Sequence, residues 1–515
     1  FMQYPTAYYN FTGRFDKILT TEINTFNGLD ASALTIGRGE DCDTVNAQFI
    51  NIERFDNPKY SNKYRQVPYM RIKVADNVSN VIGHSPSSRK PGLYFNLTPP
   101  VIMAEIADRY ATREIPTTDT GKAWGLVKNY KKLHPEASWE EIADACWLAS
   151  RYIAMESKKS YDNWDVVSLF KDVVDKANLK QPVRLAATAS RNAVRVMEIA
   201  GYDQATPLVI IGDRTYLHDQ NLVYRPGELP GIYQGEIALT LDGPREKVFE
   251  LLKIRADTLT DSRFRDNSEH LTINASIDPD NETRINFAYT STATGTRKSS
   301  GSAFLNSSDI IELTEEYLGV KEKKRSKRQF DLMAIDDNRR KALEAMPEID
   351  FDLQDITVDS VAILNPGFLP ENKSFEYRIT GSAEGLITRA GNDILVNIGN
   401  LVGASNYTKV DRDKPRDIDI YTSGPYNLRY TLSFKVPDGY TVDPASLEQL
   451  QKNSANLCGS YFAQSTYDEQ NNTVNIITNF RNNRRIYPHT MWNEFLDIRD
   501  AAIEFADATL VLTAR

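Results

Sequence analysis

The sequence predicts an α+β chain of several domains, and three observations carry that prediction. Its 515 residues exceed what one core usually serves, and at roughly 150 residues per domain a chain of this length holds about three. A block of helical periodicity near residues 118–179 precedes a set of short apolar strands instead of alternating with them. From about residue 267 onward, apolar and polar residues alternate in pairs of runs separated by turn formers.

In chain order, residues 1–115 are rich in Tyr, Asn, Thr and Pro. Runs such as Tyr69-Met70-Arg71-Ile72-Lys73-Val74 read as strands between long loops. After Thr118-Asp119-Thr120, Trp124, Val127 and Tyr130 recur at helical spacing as far as His134-Pro135. Ser138-Trp139-Glu140-Glu141 is a capping box, which starts a second helix running to about Lys158. Asp162-Asn163 announces a third, with Val166, Phe170 and Val173 along one face through to Leu179. Three short apolar runs follow at 182–188, 207–211 and 214–217. Gly212-Asp213 joins the last two as a hairpin.

Leu271, Ile273, Ala275 and Ile277 face one way. Asp278-Pro279-Asp280-Asn281 then turns the chain into Ile285, Phe287 and Tyr289, giving a second hairpin. Helices are expected from Ser307-Ser308-Asp309 to about Leu318 and from about Asp336 to Met346, and strands within 351–365, 373–381 and 386–398. Leu428 to Phe434 and Val474 to Phe480 repeat the strand pattern. A helix with Trp492, Phe495, Arg499 and Ala502 leads to a last strand at 508–512. No internal period marks a solenoid or propeller.

Composition narrows the function classes. With 41% hydrophobic and 25% charged residues the chain is neither disordered nor fibrous, and a formal charge of −9 argues against nucleic acid as a partner. No stretch is long and apolar enough for a transmembrane segment. The opening Phe1-Met2 reads as a trimmed chain whose targeting segment is absent. Cys42, Cys146 and Cys458 are too few and too scattered for a disulfide framework or a Cys-based metal site, and the five histidines lack ligand spacing, so no cofactor or metal is expected. Asp278 to Glu282 lacks the spacing of a calcium loop, and the basic run Lys321 to Arg328 reads as a solvated linker or helix end.

Several segments in fixed order carry a family resemblance. These are Tyr216-Leu217-His218-Asp219, the run Arg225-Pro226-Gly227-Glu228-Leu229-Pro230-Gly231-Ile232-Tyr233-Gln234-Gly235-Glu236-Ile237-Ala238-Leu239, Val436-Pro437-Asp438-Gly439-Tyr440-Thr441-Val442, and the closing stretch from Tyr487-Pro488 through Trp492 and Phe495 to Leu510-Val511-Leu512. Over about residues 118–515 the chain resembles a Bacteroidota-type transglutaminase-like family with flanking N- and C-terminal β domains. The resemblance implies a degenerate transglutaminase-like (papain-like) α+β domain flanked by β-sandwich-like domains. The expected divisions are 1–117, β-rich and incomplete; 118–245, the transglutaminase-like domain; 246–425, β-rich with two helices; and 426–515, a C-terminal β domain with a closing helix.

Acyl transfer in that family implies a Cys thiolate at a helix N-terminus, a His that deprotonates it and an Asp that orients the His. The matched positions here hold Asn163, Gln204 and Asp219, with Asn163 also expected to cap its helix. Neither amide can act as a thiolate or titrate near neutral pH, so no catalytic residue is expected. The resemblance then implies a non-catalytic envelope protein of the periplasm or cell surface, acting as a binding or scaffold module for another envelope protein, a peptide or a glycan. One alternative is an active cysteine protease, amidase or transglutaminase using Cys146, with His218 and either Asp219 or Asp242 as partners. Against it, the capping box leaves Cys146 about two turns inside its helix, away from the free amides that lower a thiol pKa. A second alternative is a carbohydrate-binding β protein, suggested by 26 tyrosines and Asn-rich loops.

Overall fold

In the computed structural model the described residues are 6–15, 20–26, 33–40, 42–53, 59–75, 115–157, 160–189, 196, 205–218, 223–242, 253–305, 307–320, 337–351, 355–403, 410, 412 and 416–515. The first segment holds β1 (Thr6–Phe15), β2 (Thr20–Phe26), β3 (Ala33–Gly37), β4 (Asp43–Glu53) and β5 (Tyr69–Ala75). They form an antiparallel sheet in the order β1-β4-β3 and a separate β2–β5 pair.

Next come three helices, α1 (Thr117–Leu133), α2 (Trp139–Glu156) and α3 (Asn163–Ala177). The capping box read at Ser138 is present in full: its side chain accepts the Glu141 amide while the Glu141 carboxylate accepts the Ser138 N–H. The α3 cap differs from expectation. Asp162 occupies the N-cap and trades the same pair of bonds with Asp165, so Asn163 is the first helical residue. Both residue types cap well, and Asp wins here because Asp165 stands three residues after it to return the bond.

The strands β6 (Val183–Ala189), β7 (Ala205–Ile211), β8 (Arg214–Leu217), β9 (Ile237–Asp242) and β10 (Lys253–Thr258) form one antiparallel sheet, ordered β10-β9-β6-β7-β8. Gly212 turns the β7–β8 hairpin at φ +60°, as the first position of a II′ turn demands. Every residue of β7 is buried, because both faces of the sheet are covered. Val209, Tyr216 and Leu239 pack against Cys146, Phe170 and Val173 of the helices. On the opposite face, Leu208, Ile210 and Ala238 meet Leu229, Tyr233 and Leu259. Pairing of β9 with β10 carries this sheet past the division expected at residue 245, as far as Thr258.

The remaining elements are β11 (Ser268–Ile277), β12 (Arg284–Thr294), α4 (Ser307–Tyr317), α5 (Asp337–Glu344), α6 (Met346–Phe351), β13 (Ile356–Asn365), β14 (Ser374–Glu384), β15 (Ile387–Ala390), β16 (Asp393–Asn397), β17 (Ile420–Tyr421), β18 (Tyr426–Lys435), β19 (Tyr440–Val442), α7 (Pro444–Gln449), β20 (Lys452–Asn456), β21 (Gly459–Asp468), β22 (Thr473–Asn482), β23 (Ile486–Tyr487), α8 (Trp492–Ala506) and β24 (Thr509–Ala514). A sheet of eight strands runs β13-β14-β12-β11-β18-β22-β21-β20, and a sheet of four runs β15-β16-β24-β19. Ile273, Phe287, Leu432 and Ile476 of the larger sheet share one core with Ile394, Val396, Leu510 and Leu512 of the smaller. At the centre of the large sheet β11 lies parallel to β18, with Ile273 opposite Leu432. Residues 246–425 and 426–515, expected as separate domains, therefore share a sheet and a core. The whole is an α+β multidomain architecture of several sheets and helices.

Among the ties between these parts are the following. α4 places Ile311 in the core of the helical segment, and Leu318 just beyond it joins them. A 3-10 segment, Gly295–Phe304, carries Lys298, whose fully buried Nζ lies 2.5 Å from Glu228 Oε2 in the β8–β9 connection and 2.9 Å from the Gly367 carbonyl.

Candidate functional site

The expected site residues are placed unevenly. Asn163, at the start of α3, is half-buried. Gln204 and Asp219 lie outside the described residues, as does the basic run 321–328. Cys146 sits well inside α2 with no exposed surface, among Ala123, Val127, Trp147 and Phe170. Burial pushes its thiol far above the ordinary range, with the Asp144 carboxylate adding to the effect of burial and Lys131 opposing it.

His218 follows the last residue of β8, and its ring centroid is 6.3 Å from that of Trp147. Consecutive helical residues point about 100° apart, so it is Trp147 and not Cys146 that α2 turns toward this histidine. Burial, then the positive charge of Arg151, pushes the His218 imidazole down to about 3, which keeps it neutral at physiological pH. The hollow beside it, bounded by Arg151, Tyr224, Arg225 and Glu228, measures about 10 Å³. That is room for about one water molecule and no substrate.

Sequence reasoning passed over a charged group on α2 itself. Asp144, one helical position before Ala145, is buried and accepts hydrogen bonds from the Tyr216 hydroxyl at 2.9 Å and from Arg214 Nη2 at 3.1 Å. Burial dominates, and despite Arg214 and Tyr216 the carboxyl is pushed up to about 6. It borders a hollow of about 570 Å³ that also takes in Arg225, Glu228, Asp261 and Asn267. An Asp amid the apolar residues of α2 gives a sequence-level signal, but its partners come from a hairpin some 70 residues away.

Gln234, Asp261 and Ser262 lie between that hollow and a larger cleft of about 770 Å³. Its walls come from distant parts of the chain: Arg65, residues 234–237 at the entry to β9, residues 261–264 before β11, Pro425, and residues 483–486 leading into β23. Among the described residues, no group of three or more His, Cys, Asp or Glu side chains could hold a metal ion.

Fold and site together define an α+β multidomain protein with a buried thiol and an arginine-lined cleft between the entry to β9 and the segments that flank β11, β18 and β23. No protein-family model and no curated protein matches the chain. Among solved structures, one from Parabacteroides distasonis described as a "putative protease" matches with a TM-score of 0.47 and 8% identity, over 98% of this chain and 72% of that one.

Proposed function

We propose that the chain is a non-catalytic, transglutaminase-like protein of the bacterial envelope, periplasmic or surface-exposed. Its papain-like segment serves as a scaffold and its clefts serve as binding surfaces for another envelope protein or peptide. The observation that carries this reading is the state of Cys146. A catalytic thiol must ionise near neutral pH and reach substrate, whereas Cys146 has no exposed surface, lies within a helix and is pushed upward in pKa. At the start of α3 stands the amide of Asn163, which cannot form an acyl intermediate.

The test is site-resolved thiol labelling of the native protein near pH 7, read by peptide mass spectrometry so that half-exposed Cys42 is scored apart from buried Cys146 and Cys458. Cys146 should label only on unfolding. Rapid native labelling of Cys146, with an amidase or crosslinking activity that Cys146→Ala abolishes, would overturn the proposal in favour of a cysteine enzyme.

A further inference from the structure

The larger cleft is net positive in an acidic chain. Arg65, Arg263, Arg484 and Arg485 line it against only Glu236 and Asp261, leaving two net positive charges in a chain whose formal charge is −9. Glu236 is already shared, 2.5 Å from Arg65 Nη2 and 3.9 Å from Arg485 Nη1. Arg263 and Arg484 are exposed and, among the described residues, make no ion pair. Two paired arginines thus form a braced floor and two others remain available, and guanidinium forks bind carboxylates in bidentate fashion.

The same cleft is partly apolar. Ile237 and Ile486, exposed by 42% and 43%, both line it, and Phe264 joins them with its ring 4.8 Å from the Arg481 guanidinium. Exposed isoleucines beside unpaired arginines suit a ligand that carries both apolar side chains and carboxylates. A volume of about 770 Å³ falls within the usual range for a bound small molecule or a few residues, and junctions between domains are where such sites occur.

We infer that this cleft is a binding site for a short acidic peptide segment, its carboxylates held by Arg263 and Arg484 and its apolar side chains set against Ile237, Ile486 and Phe264. The inference rests on the reading of the chain as a binding protein and gives that reading a ligand class. An acidic glycan would satisfy the arginines but leave the isoleucines and Phe264 without apolar contact, so the peptide is favoured.

Fluorescence anisotropy of the full chain with a labelled hexapeptide of alternating Glu and Phe is the experiment, run beside the Gln-for-Glu peptide and an oligogalacturonate. The Glu-Phe peptide should bind, weaken as salt rises, and lose at least about tenfold in affinity to an R263A/R484A variant that melts as the parent does. Each of three results would overturn the inference: equal binding of the Gln peptide, unchanged binding by the variant, or binding of the oligogalacturonate alone. The variant substitutes exposed side chains, and R263K/R484K, keeping charge without the fork, provides a second folded comparison. Failure here with Cys146 still unlabelled removes this ligand and leaves the non-catalytic reading in place, whereas rapid Cys146 labelling removes that reading whatever the peptide does.

Discussion

Lys298→Met is expected to weaken the junction between the 3-10 segment and the β8–β9 connection by about 3–5 kcal/mol, the usual cost of breaking a buried ion pair from one side. At 2.5 Å, and with an effective dielectric constant near 20, the attraction between Lys298 and Glu228 is about 7 kcal/mol before desolvation, which opposes it by several kcal/mol per ion. Burial has the upper hand at the lysine, whose pKa is lowered in spite of the carboxylate beside it. Methionine fills the space of the stem and removes the ammonium. Glu228 is then left, 13% exposed, with the Arg225 amide at 3.0 Å and the Arg225 guanidinium at 3.6 Å. The double variant Lys298→Met, Glu228→Gln carries no stranded charge and should recover most of the loss. Denaturant unfolding at pH 7 followed by tryptophan fluorescence, with all four members of the cycle, reads the difference. A single variant within about 0.5 kcal/mol of the parent, or a double variant no better than the single, would refute the reasoning.

Asp144 has a folded pKa of about 6 against an ordinary value of 3.8, so the folded state holds its proton more tightly than the unfolded one. The associated stability, about 3 kcal/mol, is fully present below pH ~4 and is lost as pH rises through 6. Unfolding free energies at pH 4–7 should show this fall in the parent and not in Asp144→Asn, and parallel curves would count against the buried carboxyl. At the start of α3, Asp162→Ala should cost about 1 kcal/mol while Asn163→Ala stays within about 0.5, since of these two side chains it is Asp162 that accepts an amide. Thermal melts of both variants separate the cap from its neighbour, and equal losses would return the cap to Asn163.

Local signals account for what could be read in the sequence. The Ser138 capping box, the Gly212 turn, the alternation through Ile273 and Phe287 and the helix at Trp492 each depend on a few adjacent residues, and each is where the sequence places it. The hairpin β20–β21 escaped notice because Ser, Asn, Ala and Gln dilute its alternation. Nothing local announces that β11 lies beside β18, because strand pairing at such separation is decided by the assembled core. The site was harder still. Cys146 could be judged by its depth in a helix, but the arginines of the cleft are scattered from position 65 to 485 and have meaning only once folded.

The parallel contact between β11 and β18 also has a consequence during synthesis. One edge of Ser268–Ile277 has no partner until Tyr426–Lys435 has left the ribosome. At roughly 5–20 residues per second, the intervening stretch of about 150 residues takes on the order of 8–30 seconds to make. For that interval the nascent protein carries an open edge of unpaired backbone N–H and C=O groups on a strand that also bears Leu271 and Ile273, the kind of template on which chains join one another. Chains released before residue 426 are accordingly expected to self-associate, which light scattering would detect, and the completed chain escapes that fate once its own later strand covers the edge.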